Sequence, residues 1–204
     1  MPERKTITLR RGGGRRAGAP VELSSERLTH RSPPGEGAAT EIAAWFGDPD
    51  MGRFLAAPPS TPARAQAAID KADNRNVFFF GAYAREGNRL VGYTQVHVAG
   101  AHHLARTTSI IGDKAYWGGG YAIESRAAIL DFLFLTRGLN KVNSFVYGRN
   151  VPAIFNNRAL GYSCEGVLRQ QERDPEGGYR DVLCFGILRS EWLARRERHR
   201  QPVS

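Results

Sequence analysis

Three consecutive glycines, Gly118-Gly119-Gly120, stand between an extended segment and a long apolar one, and they limit what this chain can become. Upstream, Thr107-Thr108-Ser109-Ile110-Ile111 favours extended backbone, and Gly112-Asp113 closes it. Downstream, Ile123, Ala127, Leu130 and Phe134 recur at i, i+4, i+7 and i+11, with Glu124 and Asp131 as a narrow polar stripe. A helix so broadly apolar lies against a sheet. Bare α-carbons let the backbone take positive φ and let a ligand approach the amides. The helix start adds unpaired N–H groups at the positive end of its dipole, so the two together suit a phosphate. A tight turn, or close packing beside Trp117, would use the same glycines, and the run alone does not decide between these readings. A mononucleotide P-loop does not fit, because Tyr121-Ala122 stand where Lys and Ser/Thr are needed. Of a dinucleotide fingerprint only the first half is present.

The surrounding pattern predicts one mixed α/β layer structure. Glu26 to Arg31 reads as a first strand that stops at Pro33-Pro34, followed by two short helices over residues 36–46 and 50–57. Thr61 caps a third helix with Pro62 in its first turn, running to Lys71. Val77 to Tyr83 and Leu90 to Val98 form a hairpin, and Arg106 to Ile111 is the next strand. After the apolar helix, from Tyr121 to Arg137, come a strand over Lys141 to Gly148 and a helix from Asn150 to Gly161. Two last strands cover residues 163–172 and 179–188. That order gives a mostly antiparallel sheet of about six or seven strands flanked by helices, with one strand–helix–strand crossover.

The net charge of +9 sits at the ends of the chain. Residues 1–20 carry six Lys/Arg against Glu3, and residues 189–204 carry five Arg against Glu191 and Glu197, so the middle is almost neutral. Both ends read as basic tails, 1–20 and 193–204, around a domain spanning 21–192; a solvated tail or contact with RNA or a ribosome would suit them. No run reaches the roughly 18 apolar residues of a membrane span, and the first residues lack a signal-peptide centre, so a cytoplasmic location without membrane contact is expected. Two cysteines make neither a disulfide framework nor a metal site. A turn centred at Glu176 would set Cys184 opposite Leu168, roughly 13 Å from Cys164, with both thiols acting as small buried hydrophobes.

The run Ile110-Ile111-Gly112-Asp113-Lys114-Ala115-Tyr116-Trp117-Gly118-Gly119-Gly120-Tyr121-Ala122-Ile123-Glu124-Ser125 closely resembles the acetyl-CoA-binding motif of the GNAT acyltransferase superfamily, in its Rim-type (ribosomal-protein and amino-sugar) branch. The likeness continues where Asn150 opens a helix that Leu160-Gly161-Tyr162 closes, and more loosely over Leu23 to Leu55. The resemblance implies an acetyl-CoA (or other acyl-CoA) co-substrate and no metal. It implies that the amides of Trp117, Gly118, Gly119, Gly120, Tyr121 and Ala122 hold the CoA pyrophosphate, and that Ser109 to Gly112, including Ile110 and Ile111, pairs with the pantetheine arm. The thioester would sit where that strand splays from Lys141–Gly148, with Asn150 on the pantetheine or on its own helix cap.

Asn157 stands where many relatives have a tyrosine that protonates the departing thiolate, and an amide cannot deliver a proton. A thiol with pKa about 8.5 leaves tolerably as thiolate, so orientation and carbonyl polarisation can suffice. As base, His97 is the leading candidate, on one strand face with Tyr93 and Gln95, while Glu124 reads as structural and Asp113 and Tyr147 stay open. The expected function is N-acyl transfer to a primary amine of a small molecule, an amino sugar or a protein N-terminus. A catalytically weak CoA-binding module with RNA-contacting tails is the alternative. Exposed aromatics on the last hairpin would also permit a homodimer.

Overall fold

The strand pattern around residues 77–98 is apolar at nearly every position because that hairpin is covered on both faces. The computed structural model describes residues 17–52, 59–174 and 177–200. Outside the described residues lie most of the N-terminal basic stretch, positions 53–57 of the expected second helix, Pro175 and Glu176 of the expected turn, and residues 201–204. Eight strands form one sheet: β1 (Val21–Ser24), β2 (Leu28–Ser32), β3 (Val77–Ala84), β4 (Arg89–Ala99), β5 (Leu104–Ile111), β6 (Lys141–Tyr147), β7 (Ser163–Arg173) and β8 (Tyr179–Leu188). Their spatial order is β1-β2-β3-β4-β5-β6-β8-β7, antiparallel at every junction but β5–β6. The strand beyond the six or seven expected is β1, whose four residues Val-Glu-Leu-Ser pair with β2 yet are too short to show a period.

Helices α1 (Ala38–Trp45), α2 (Pro49–Gly52) and α3 (Pro62–Ile69) follow β2. Thr61 caps α3, its hydroxyl accepting from the Arg64 N–H at 3.3 Å. α1 and α3 cover one face of the sheet through Ile42, Ala65 and Ile69, against Phe79 and Tyr93. The other face carries α4 (Tyr121–Asp131), α5 (Val151–Leu160) and α6 (Arg189–Arg200). Ile129, Leu130 and Leu133 pack there on Phe78, Phe80, Val96 and Val142, and Phe132 meets the rings of Phe78 and Phe80 edge-on. Alternate phenylalanines of β3 thus serve opposite layers, and burying such side chains fully is worth about 1.5–3 kcal/mol each. The expected helix to Arg137 loosens after Asp131 into a π turn, Phe132–Thr136, before Gly138 turns the chain at φ 64°.

Two expectations change. The C-terminal segment from residue 193 is a helix as far as Arg200: Trp192 is buried and donates to Asp131 at 2.8 Å, Arg196 pairs with Asp131, and Arg195 donates to the Ala159 carbonyl at 2.6 Å. The cysteines are closer than a regular hairpin allows, because β7 shifts register between Leu168 and Glu172 and again between Cys164 and Gly166. Gln170 takes φ 52° inside the first shift, with its N–H on Asp181 Oδ1 at 2.8 Å. Cys184 therefore faces Gly166, one rung from Cys164, and both thiols are free, with Cys164 exposed rather than buried.

Candidate functional site

Between β5 and α4 the backbone makes a single 3-10 turn, Lys114–Tyr116, capped by Asp113, whose carboxylate accepts from the Ala115 N–H at 3.0 Å. Gly118 and Gly120 then adopt left-handed φ of 76° and 79°, which an L side chain would resist by about 1–2 kcal/mol each. This reverses the chain so that the N–H groups of the loop and of the first helical turn share one side. Among the described residues, the N–H groups of Gly118, Gly119, Gly120, Tyr121 and Ala122 reach no protein acceptor, whereas those of Ile123 and Glu124 return to the Gly120 carbonyl at 3.1 and 3.0 Å. The Trp117 amide does not join them: it donates to the Lys114 carbonyl at 3.1 Å, closing the 3-10 turn. Space in front of the loop is open, since a Cβ on Gly118 would meet nothing within 4 Å. Five free donors beside a helix N-terminus, with that room, fit a diphosphate.

The loop is held from behind by residues the sequence did not single out. Arg27, in the turn between β1 and β2, donates to the Gly119 carbonyl at 2.9 Å and lies 4.0 Å over the Tyr121 ring. Holding that carbonyl back leaves the adjacent amides to face outward. Glu124 anchors Arg27 in turn, accepting from its backbone N–H at 2.7 Å, from its Nε at 2.6 Å and from the Ser25 hydroxyl at 2.7 Å. Burial pushes the Glu124 carboxyl up, but those donors outweigh it and hold it below the ordinary carboxylate range. Glu124 is thus structural, as its place in the first turn implied. The next residue, Ser125, meets Nε2 of the buried His30 at 2.9 Å, and desolvation lowers that imidazole to about 4.

β5 and β6 pair over only three rungs, ending at Arg106 and Asn143, and part beyond. Beyond Arg106 β5 has no strand partner on its β6 side among the described residues, an edge of the kind an extended ligand can pair with. Ile110 is half-buried against the α1–α3 layer, and the Ile111 carbonyl is occupied by the Trp117 indole N–H at 2.9 Å, so that one acceptor is not free for a pantetheine amide. Asn150 caps α5, its side chain accepting from the Ala153 N–H at 3.1 Å. Asn157 is fully buried, with Oδ1 accepting from Arg126 and Nδ2 reaching Ser144 at 3.5 Å. His97 is exposed opposite Arg106, and because its neighbour Val96 packs under α4, its side chain stands on the opposite face. The fold therefore sets Gly118 to Ala122 at the start of α4, beyond the end of β5, and the parting of β5 and β6 beside the same helix, with Asn157 on the α4 side of the sheet and His97 across it.

A profile of the acetyltransferase (GNAT) domain matches residues 27–162. The uncharacterized N-acetyltransferase p20 of Bacillus licheniformis is 25% identical over 175 residues, 83% of this chain and 97% of its own. The same fold occurs in the ribosomal-protein-S5-alanine acetyltransferase of Vibrio fischeri, with a TM-score of 0.71 and 17% identity over 84% of this chain and 98% of that one. It occurs again in the spermidine N-acetyltransferase of Vibrio cholerae, solved with CoA and spermine, with a TM-score of 0.73 and 22% identity over 82% and 98% of the two chains. The profile begins at the arginine that braces the glycine loop and ends just past the glycine that closes α5, so both the loop and the strand fork fall within it, and the chain belongs to the GNAT family of acyl-CoA-dependent N-acetyltransferases.

Proposed function

We propose that this protein moves an acetyl group from acetyl-CoA to a primary amine by direct attack, the amine arriving from the face of the sheet opposite α4. The observation that carries this reading is the set of five unpaired amides from Gly118 to Ala122, turned outward by two left-handed glycines. Those amides would hold the pyrophosphate, and β5 beyond Arg106 would pair with the pantetheine arm. Bound there, acetyl-CoA supplies an activated thioester between the parting strands. His97 is the candidate base, since its side chain is exposed on the acceptor face. Spermidine and an alanine of ribosomal protein S5, for which two proteins of this fold are named, both present amines, which favours an amine acceptor for this chain as well. Among the described residues no helix is long and apolar enough to cross a membrane.

Titration calorimetry tests the donor half. Wild-type protein should bind CoA saturably, and Gly120→Val should weaken it by about tenfold, roughly 1.4 kcal/mol, through the φ its branched side chain refuses. Absence of CoA binding by the wild type refutes the proposal. Thiol release with polyamines, amino sugars and N-terminal peptides then identifies the acceptor. A CoA-binding module without turnover is the second reading, favoured by Asn157, which has no proton to give; thiol release with any of these amines eliminates it.

A further inference from the structure

A guanidinium stripped of water stays in a protein interior only where something compensates its charge. Arg126, on the second turn of α4, is 9% exposed, and among the described residues no carboxylate pairs with it. What surrounds it is neutral. The Asn157 carboxamide oxygen accepts from one of its terminal nitrogens, and the Tyr162 ring lies with its centroid 5.2 Å from the guanidinium carbon. Tyr162 is the titratable group against it, and burial raises that phenol, so it adds no negative charge near neutral pH. With Thr107, Ser109, Ile129, Leu130 and Tyr162, Arg126 lines a crevice closed to a water-sized group, so the two strands must part further for a sulfur atom to reach it. Its place is telling: Thr107 and Ser109 follow the last paired rung of β5, and Ser144, which meets Asn157, follows the last paired rung of β6. The one buried positive charge of this layer without a carboxylate among the described residues therefore sits at the fork of the two strands.

Asn157 fixes the direction of that charge. Arginine has only donors, so the carboxamide must turn Oδ1 toward it, and the Ser144 hydroxyl takes the other end. The Asn157 oxygen takes one N–H of the fork and the Tyr162 hydroxyl accepts another, and of the five donors of the planar group the rest remain for a ligand. We propose that Arg126 is a catalytic residue of the acyl transfer, stabilising the negative charge that forms on the CoA sulfur, with Asn157 as the positioning residue that aims it. This rests on the acyl-CoA reading above. The amine nitrogen bonds to the thioester carbon while the carbonyl π pair moves to oxygen. When the carbonyl re-forms, the C–S bond breaks and its pair leaves on sulfur beside the guanidinium. The extra ammonium proton passes to solvent or a base, and the thiolate later takes a proton from water. Arg126 contributes charge and hydrogen bonds to these steps and transfers no proton in them.

The test is the ionisation of CoA bound to the intact protein, followed by thiolate absorbance against pH, alongside turnover of acetyl-CoA. In the wild type the bound thiol should titrate below its ordinary value of about 8.5. Arg126→Met should return it to about 8.5 or higher and lower kcat by roughly 100-fold, with CoA affinity held within about threefold. Arg126→Lys should keep part of the depression, and Asn157→Leu should lose part of it. A wild-type complex whose thiol titrates at or above about 8.5 overturns the role of Arg126 while the CoA reading stands, and that measurement needs no variant to fold. Failure to bind CoA removes the CoA reading itself. A defect in Arg126→Met confined to acyl chains ending in a carboxylate, with acetyl turnover intact, overturns it in favour of an acyl-selecting role.

Discussion

Replacing Glu124 by alanine should both destabilise the fold and loosen the coenzyme loop, and the two effects can be sized separately. Its carboxylate is 15% exposed and accepts from the Arg27 N–H, the Arg27 Nε and the Ser25 hydroxyl. Hydrogen bonds from neutral donors to a carboxylate are worth roughly 1.5 kcal/mol each, though Ser25 keeps the Leu28 carbonyl as a second partner. The ion pair with Arg27, whose side chain is 40% exposed, adds at most about 0.5 kcal/mol. The loss should come to about 2–3 kcal/mol, a fall in Tm of about 5–10 °C for a chain of this size by scanning calorimetry. Freed from Glu124, Arg27 no longer restrains the Gly119 carbonyl, and CoA should bind about tenfold more weakly. Acidification should reproduce the stability loss in the wild type alone. A carboxylate held below its ordinary value contributes stability above about pH 4.3 and loses it as pH falls through the folded value beneath. A variant with unchanged Tm and unchanged CoA affinity would refute the claim that Glu124 and Arg27 shape the loop.

Other perturbations probe other layers. His30, lowered to about 4 by burial, favours the neutral form in the native state, so its contribution is complete above about pH 6.5 and lost as pH falls toward 4; it amounts to roughly 3 kcal/mol, and His30→Gln should flatten the stability slope across that window in urea titrations. A Cβ on Gly112 would overlap the Trp45 indole, so Gly112→Ala should destabilise by about 1–3 kcal/mol, and a Trp45→Ala background should erase most of that difference in a double-mutant cycle.

What the sequence showed about the site followed from local chemistry. Glycines before an apolar helix, an asparagine before Val151-Pro152 and alternating strand residues each reveal their role within a few positions, and the loop, the α5 cap and most strands appear where those signals stand. The Trp117 amide turns back to the Lys114 carbonyl, a contact no sequence pattern displays because a 3-10 turn of three residues, Lys114–Tyr116, carries no period of its own. Arg27 and Arg126 lack a local signal for a different reason. Arg27 meets Glu124 across 97 positions and Arg126 meets Asn157 across 31, so neither pairing has a spacing that a linear pattern could display. The basic C-terminal segment looked like a tail because its charges dominate its composition, while its anchor, Asp131, lies on another helix.

Asp131 gives α4 a second mooring. Glu124 ties its first turn to the β1–β2 turn, and Asp131 ties its last residue to Trp192 and Arg196 of α6. A rod lashed at both ends neither rocks nor slides along its axis. Any widening of the fork would then fall to the half of β6 beyond Asn143, which pairs with β8 alone, and to α5, with the glycine loop at the start of α4 held still.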